Sequence, residues 1–421
     1  MGQDRLRQWW SEHERPILTF LMVLMAAAMV WRLGSELWRL VAAPLPWGAV
    51  DLRFRHAEVH SWFANLPVYT ETRHAGYAPA SYIILWPLLG WMGLSAARWL
   101  WALVNLAVLA PCVRFALQQS GAVRWWERTF VVLMLLAPYP VAVTLGNGQL
   151  GILALSAALT AIFLLSPGRT PSWWRDLAAA GLLLLSLVKP SLTAPFFLVV
   201  MLRTGGLRPV VLTAAGYAGL TVLAQSFRTN SLGVELAALA HVSAEVVGKQ
   251  GYAHLPLWLE GIGLAPAGKW LLLPLYLALG VWIARNRHAD IWPLLGVTAI
   301  VSRLATYHGA YDDSVVLLAL LALFRVAKHA RPGDRREVRA AVLLALTLLP
   351  LLAPVTMARM GLPLNLVHHL VQPLVWIAGI VFLVYQTIPQ APLNPVAGDD
   401  APRPPSPPQT TPPFGSRTHL P

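Results

Sequence analysis

Apolar stretches long enough to cross a lipid bilayer recur from Ile17 to Tyr385, each closed by charged residues or by Pro and Gly. A spanning helix takes about 20 apolar residues, and only segments that satisfy their own backbone hydrogen bonds persist in hydrocarbon. The stretches fall near 17–38, 79–94, 98–118, 129–146, 150–166, 177–203, 209–226, 269–285, 290–306, 313–327, 340–357 and 364–386. They predict an all-α, polytopic transmembrane helical bundle of about 12 spans, in a range of roughly 11 to 13. With 57% hydrophobic and 12% charged residues, the chain inverts the charged share of about a quarter found in soluble domains, which excludes a water-soluble globule. Segment 1–16 is polar, and no small-residue cleavage pattern follows the first run, so that run reads as a retained span. The expected setting is the cell inner (plasma) membrane, crossed many times.

The net charge of +13 is distributed between the apolar runs rather than along one stripe. It therefore serves to orient the chain, and no nucleic-acid partner is expected. Basic residues at Arg285, Arg287 and His288, and again from Lys328 to Arg339, mark cytoplasmic connections. Counting outward places the long connections 39–78 and 227–268, together with the Arg303–Asp313 connection, on the opposite face. Arg124, Arg128, Arg169 and Arg175 run against this count. Splitting 177–203 at Lys189-Pro190 moves them inside, provided 79–118 crosses only once. Both counts keep the long connections on one extracytoplasmic surface. Within the second, Ser231 to Val247 carries apolar residues at helical spacing, which predicts an interfacial helix. The Trp doublets at Trp9, Trp125 and Trp173 read as interface anchors. The Pro-rich segment 389–421 is too poor in apolar residues to pack.

The single cysteine, Cys112, excludes an intramolecular disulfide and any multi-Cys metal or redox centre. The first long connection begins Asp51-Leu-Arg53-Phe-Arg55-His56-Ala-Glu58, a carboxylate among cations suited to a base beside a phosphate. The plainer alternative is that Asp51 caps a loop helix and the arginines meet lipid headgroups. Lys189 lies inside an apolar run, where a charge is costly and marks a polar cavity, unless it snorkels. His308 ends a run and serves either as a proton-handling group or as an interfacial residue. Asn147 and Gln149 lie in a Gly-bracketed turn that doubles as a tight connection. Asp312 and Asp313 are adjacent and point apart, so Asp312 is expected to order its loop through Arg303 or His308. With no Asp-x-Asp in the first loop, the sequence calls for no divalent metal. His241, Glu245 and His254 offer acceptor contacts or simple loop polarity.

Four segments in order carry a resemblance. They are Asp51 with Pro67-Val-Tyr69 and Tyr77-Ala-Pro79 leading to Pro87; Leu145-Gly-Asn-Gly-Gln149-Leu-Gly-Ile-Leu; Val188-Lys189-Pro190; and Ala305-Thr-Tyr307-His308-Gly-Ala-Tyr311-Asp312. From about Asp51 to Leu323 the chain resembles the membrane glycosyltransferases of family 87, often labelled a domain of unknown function. It departs from their pattern at Gly151, where Asn is expected, and lacks a Ser-Pro before the late segment. The resemblance implies a GT-C fold and transfer of a sugar, mannose by analogy, from a polyprenyl-phosphate donor to a glycolipid or glycan acceptor, with no further cofactor. It implies Asp51 as catalytic base and His308 as its catalytic partner or as the group that orients the acceptor. Arg53, Arg55, Lys189 and Arg303 would stabilise the leaving phosphate. His56, Glu58, Tyr69, Tyr77, Gln149, Tyr311 and Asp312 complete the implied substrate-binding set. The competing class is a transporter or flippase for a polyprenyl-linked lipid, for which the buried cations matter and Asp51 does not.

Overall fold

The computed structural model describes residues 3–70, 75–166, 172–249, 254–261, 263–264, 268–331, 334–352 and 370–387. Trp9 and Trp10 are described in backbone only, and the Pro-rich 389–421 segment lies outside the described residues. Among the described residues the chain is helical throughout, with no strand. The helices are α1 (Gln3–Val41), α2 (Val50–Phe63), α3 (Pro79–Leu89), α4 (Leu94–Gln119), α5 (Trp125–Leu136), α6 (Tyr139–Asn147), α7 (Gly151–Leu164), α8 (Trp173–Ser186) and α9 (Pro190–Thr193). They continue with α10 (Phe196–Arg203), α11 (Leu207–Gln225), α12 (Leu232–Lys249), α13 (Leu255–Gly261), α14 (Gly268–Arg285) and α15 (Ile291–Ala305). After a 3-10 turn at Ala310–Val316 come α16 (Leu317–His329), α17 (Arg335–Leu352) and α18 (Gln372–Gln386).

Three helical stretches among the described residues are long and apolar enough to cross a membrane: Pro16–Val41 of α1, α4 and α11. A fourth is made by α5 and α6 if they count together through their 47° bend. The runs 150–166, 269–285 and 290–306 form as α7, α14 and α15 within about two residues but stay below the length or hydropathy of a full crossing, and three other runs are interrupted for identifiable reasons. The run 79–94 closes at Leu89, because Gly90 ends α3 and a turn leads through Gly93 into α4. In 129–146, Pro138 and Pro140 interrupt the hydrogen-bond ladder. The carbonyl freed at Ala137 is taken by the Arg32 guanidinium of α1 at 3.0 Å. In 177–203, Pro190 stops α8. The Ser186 carbonyl that loses its helical donor accepts instead from the Thr193 hydroxyl at 2.8 Å. At each break a side chain thus takes up a carbonyl that the helix no longer bonds, as an apolar setting favours.

Two apolar clusters hold the bundle. One gathers α7, α8, α10, α15, α16 and α18 around Phe196, Trp292 and Trp376. The other packs α1 to α4 with α6 around Leu40, Leu52, Trp62, Tyr82 and Trp101. Large apolar side chains such as Trp31, Leu103 and Leu273 remain more than half exposed on the outer faces, a surface suited to hydrocarbon rather than water. The helix expected over 231–247 forms as α12, with Leu239 and Val242 turned to the second cluster. Trp125, Trp173 and Trp174 are exposed at helix starts, as anchors should be.

Gly148 closes α6 in the left-handed region at φ 70°, and a Cβ there would stand 2.5 Å from Cβ of Leu52. A side chain would meet both penalties. We expect Gly148→Ala to destabilise the protein by at least about 1–2 kcal/mol from the backbone alone, read as a lower thermal unfolding midpoint in detergent. Gly181→Ala, which meets no neighbour within 4 Å, should not lower it.

Candidate active site

The two broken helices meet at Lys189. The second half of the bent α5–α6 pair, α6, ends in the Asn147-Gly148-Gln149 turn that leads into α7, and the α8–α9 break holds Lys189 in a non-helical conformation at φ −135°, ψ 69°. Lys189 Nζ donates to Gln149 Oε1 at 3.0 Å and to the Asp312 carboxylate. It also lies 4.8 Å from the centre of the Tyr311 ring. An ammonium has three N–H donors. Two are engaged here, and Lys189 is 7% exposed.

The turn that carries Gln149 is held from α1. Arg39 donates to Asn147 Oδ1 at 2.6 Å and pairs with Glu36 at 2.5 Å. The Glu36 carboxylate approaches so closely over Gly146 that a Cβ there would sit 1.7 Å from its oxygen. Arg32, Glu36 and Arg39, at i, i+4 and i+7, thus form one polar row that grips α5 and α6.

The 3-10 turn after α15 supplies the partners of Lys189. Asp312 Oδ2 faces Nδ1 of the buried His308 at 3.0 Å. His308 Nε2 lies 3.0 Å from the Thr306 hydroxyl and 3.1 Å from the Ser302 carbonyl. Burial and the nearby Arg303 and Lys189 charges lower the His308 pKa against the pull of Asp312. Nδ1–H donates to Asp312, which can only accept, while Nε2 lies between a hydroxyl and a carbonyl: it accepts from Thr306 when the ring is neutral and donates to Ser302 when the ring is protonated. Burial alone would raise the Asp312 carboxyl, but Lys189 and His308 hold it down at about 2. Asp313 turns the other way, to the fully buried Arg303, whose guanidinium sits 5.4 Å from the Trp376 ring. Thr144 Oγ1 donates to the Tyr311 carbonyl at 2.9 Å, and Ser302 Oγ to the Leu192 carbonyl at 2.7 Å. The turn is thereby fixed to α6 and α9.

The third component is α2. Asp51 sits half-buried in its first turn and makes no hydrogen bond or ion pair among the described residues. Its charge acts on Arg55, Glu58, Tyr77, Lys189, Tyr307 and Tyr311. The start of α2, Tyr77 and the Lys189 centre therefore lie within electrostatic reach of one another. Arg55 stands 2.7 Å from Glu58 and 4.2 Å from the centre of the Tyr77 ring. Tyr69 orients that segment by donating to the Tyr77 carbonyl at 2.7 Å.

The remaining candidates lie apart. Arg53 rests against Phe54, and His56 bonds the Met92 carbonyl at 2.8 Å with its ring against His60. Arg303 lies behind His308 with no exposed surface. His308 serves Asp312 rather than Asp51. His241 is exposed, His254 is buried near Tyr307, and the Glu245 side chain lies outside the described residues. Residue-type reasoning did not single out Thr144, Ser302, Thr306 or the Glu36–Arg39 pair. Only the last left a visible signal, as charges at helical spacing inside an apolar run.

An apolar cavity of about 620 Å³ runs beside this centre between α4, α7 and α16. One end is at Ile152 and Ser314, next to Gly151, whose Cβ position would lie 3.9 Å from Asp312 Oδ1. The other is at Phe163 and Trp292. Along α7, Ile152 to Leu164 covers roughly 18 Å. The buried Ser314 hydroxyl at the near end has no hydrogen-bond partner.

No protein-family model, curated protein or solved structure matches the chain.

Removing one member of a buried ion pair is expected to cost about 3–5 kcal/mol, whereas removing both is cheaper. We therefore expect Asp312→Asn and Lys189→Met each to lower the unfolding midpoint more than the double variant does. Because the folded Asp312 carboxyl titrates at about 2 against an ordinary 3.8, its contribution is complete above about pH 4 and fades as pH falls towards 2. The gap in midpoint between wild type and Asp312→Asn should close over that range.

Proposed function

We propose that the chain is an integral membrane glycosyltransferase of the GT-C kind, moving a sugar from a polyprenyl-phosphate donor to a glycolipid or glycan acceptor. One observation carries the reading: Asp51, a carboxylate with no ion pair among the described residues, acts electrostatically on the buried ammonium of Lys189, whose partner Asp312 lies beside Gly151 at one end of an apolar cavity. These are the three things that transfer from a lipid phosphate needs, namely a base, a cation and a place for a hydrocarbon chain.

The acceptor hydroxyl forms a bond to the anomeric carbon while the bond from that carbon to the phosphate oxygen breaks. Its proton passes to Asp51, and the electron pair leaves with the lipid phosphate. A phosphate is a weakly basic leaving group, so a fixed charge suffices there. Lys189 supplies that charge through its third N–H, held in place by Gln149 and Asp312. A single displacement of this kind inverts the anomeric centre. Glu58 has no exposed surface and Arg55 is engaged by Glu58 and the Tyr77 ring, so neither meets the sugar directly, and Tyr77 and Tyr311 flank it.

In this reading the short apolar helices pair across their breaks into a bundle of about 12 crossings of the plasma membrane. The long connections then share its extracytoplasmic side. Contacts across those connections support that arrangement: Trp62 Nε1 donates to the Ala224 carbonyl at 3.0 Å, and Arg228 donates to the Leu66 carbonyl at 2.7 Å. Mannose as the donor sugar follows from the family resemblance alone.

A second reading is favoured by the two broken helices that converge on Lys189, an arrangement transporters use to bind substrate. Both breaks fall in neighbouring segments rather than in corresponding halves of the chain, which weighs against it. The two readings separate on Asp51. With radiolabelled polyprenyl-phosphate mannose and membranes of matched expression, we expect Asp51→Asn to lose transfer by about 10²–10⁴-fold while remaining folded. A flippase would move labelled lipid between vesicle leaflets equally well with either protein and transfer no sugar.

A further inference from the structure

Asp51, Arg55 and Glu58 follow one another at i, i+4 and i+7, so they stand in one row along α2 with the cation in the middle. Arg55 is nonetheless turned to one side. It contacts Glu58 at 2.7 Å beneath the Tyr77 ring, while Asp51 makes no ion pair among the described residues. Glu58 has no exposed surface, so a sugar, whose hydroxyls would lose their hydration there, does not meet it, whereas a hydrophobic reagent dissolves in such surroundings. A carboxylate that shares a guanidinium is stabilised in its ionised form and is a correspondingly poorer base.

We propose that Glu58 is a positioning residue that holds the Arg55 guanidinium against Tyr77 and so leaves Asp51 without an ion-pair partner when it takes the acceptor's proton. The inference rests on the glycosyltransferase reading of Asp51.

The groups that face Glu58 are Arg55 and Asp51 of its own helix, Tyr69 and Tyr77 of the following connection, and Tyr82 of α3. From α4, Arg98 is engaged by the carbonyls of Leu40, Arg39 and Ala43, so Arg55 is the cation that answers Glu58. Burial raises the Glu58 carboxyl to about 7, with Arg55 opposing and Asp51 adding to the rise. Above that pH the ionised Glu58 holds Arg55. Below it, Glu58 takes up a proton, its attraction for Arg55 is lost, and Asp51 is the carboxylate left in the row.

Two measurements test this. The first is the pH profile of sugar transfer. Wild type should rise through about pH 7 to a plateau, whereas Glu58→Gln should stay flat and several-fold below it, and Glu58→Asp should restore a titrating limb. A Glu58→Gln profile that matches wild type overturns the inference. The second needs neither turnover nor a change at Glu58. A hydrophobic carbodiimide couples to protonated carboxyls, and peptide mass spectrometry reads its labelling of Glu58 between pH 5 and 9. Labelling should fall away near pH 7 in wild type and at lower pH in Asp51→Asn, where no second carboxylate opposes ionisation of Glu58. Coincident labelling curves overturn the coupling, even where Glu58→Gln does not fold. Wild type that shows the labelling shift but transfers no sugar defeats the glycosyltransferase reading and leaves the coupling standing.

Discussion

The pairing of Lys189 with Asp312 is the constraint around which the rest of the bundle is arranged. A buried ammonium and carboxylate each lose several kcal/mol of hydration, and the pair holds only if its geometry and remaining hydrogen bonds are complete. Every neighbouring element serves that end. Gln149 takes a second ammonium proton, His308 takes the other carboxylate oxygen, and hydroxyls of Thr144 and Ser302 tie the turn to its surroundings. Lys189 and Gln149 both stand where a helix is interrupted, at the α8–α9 break and in the α6–α7 turn, and so reach one point from two segments. Proline makes the α5–α6 and α8–α9 breaks, and side chains from α1 and α9 repair the backbone they expose.

The second buried pair, Arg303 with Asp313, has a different character. Neither member has exposed surface, and both lie behind His308. Two adjacent aspartates diverge, and each needs a cation. One of those cations reaches the space beside Asp51, and the other braces the turn against α18. The two lysine and arginine candidates are therefore unequal, although both interrupt apolar runs.

The all-helical architecture was legible because long apolar runs admit few alternatives. Where helices end was less so. Lys189-Pro190 announced its break, but Pro138 and Pro140 lie in a run whose hydropathy continues through them, and hydropathy does not register a missing N–H. The run 79–94 was read as longer than α3 because Gly90 and Gly93 interrupt it without adding charge. At the site, the order of motifs indicated which segments converge. The choice among neighbours in the first connection depended on its being a helix. Once α2 forms, Asp51, Arg55 and Glu58 fall on one face and Arg53 and His56 on others, a division that a loop reading cannot make. The hydroxyls around His308 were invisible for another reason: serine and threonine are common in spans and acquire meaning only from what faces them.

Arg228 reaches three partners at once: Glu235 at 3.0 Å, the Leu66 carbonyl at 2.7 Å and the Trp62 ring at 4.9 Å. Asn65 adds bonds to Thr229 across the same junction. This clamp fastens the end of α2 to the α11–α12 corner, so the two longest connections of the first 250 residues behave as one lever. Parting them would cost Arg228 its bond to the Leu66 carbonyl and its place over the Trp62 ring, with the guanidinium left on Glu235 alone. Outside that clamp, Asp51 acts on two phenols, Tyr77 and Tyr311. The end of α2 is thus tied down by a guanidinium, whereas its beginning is bordered by uncharged rings, so the two ends of one short helix are held by forces of different strength and reach.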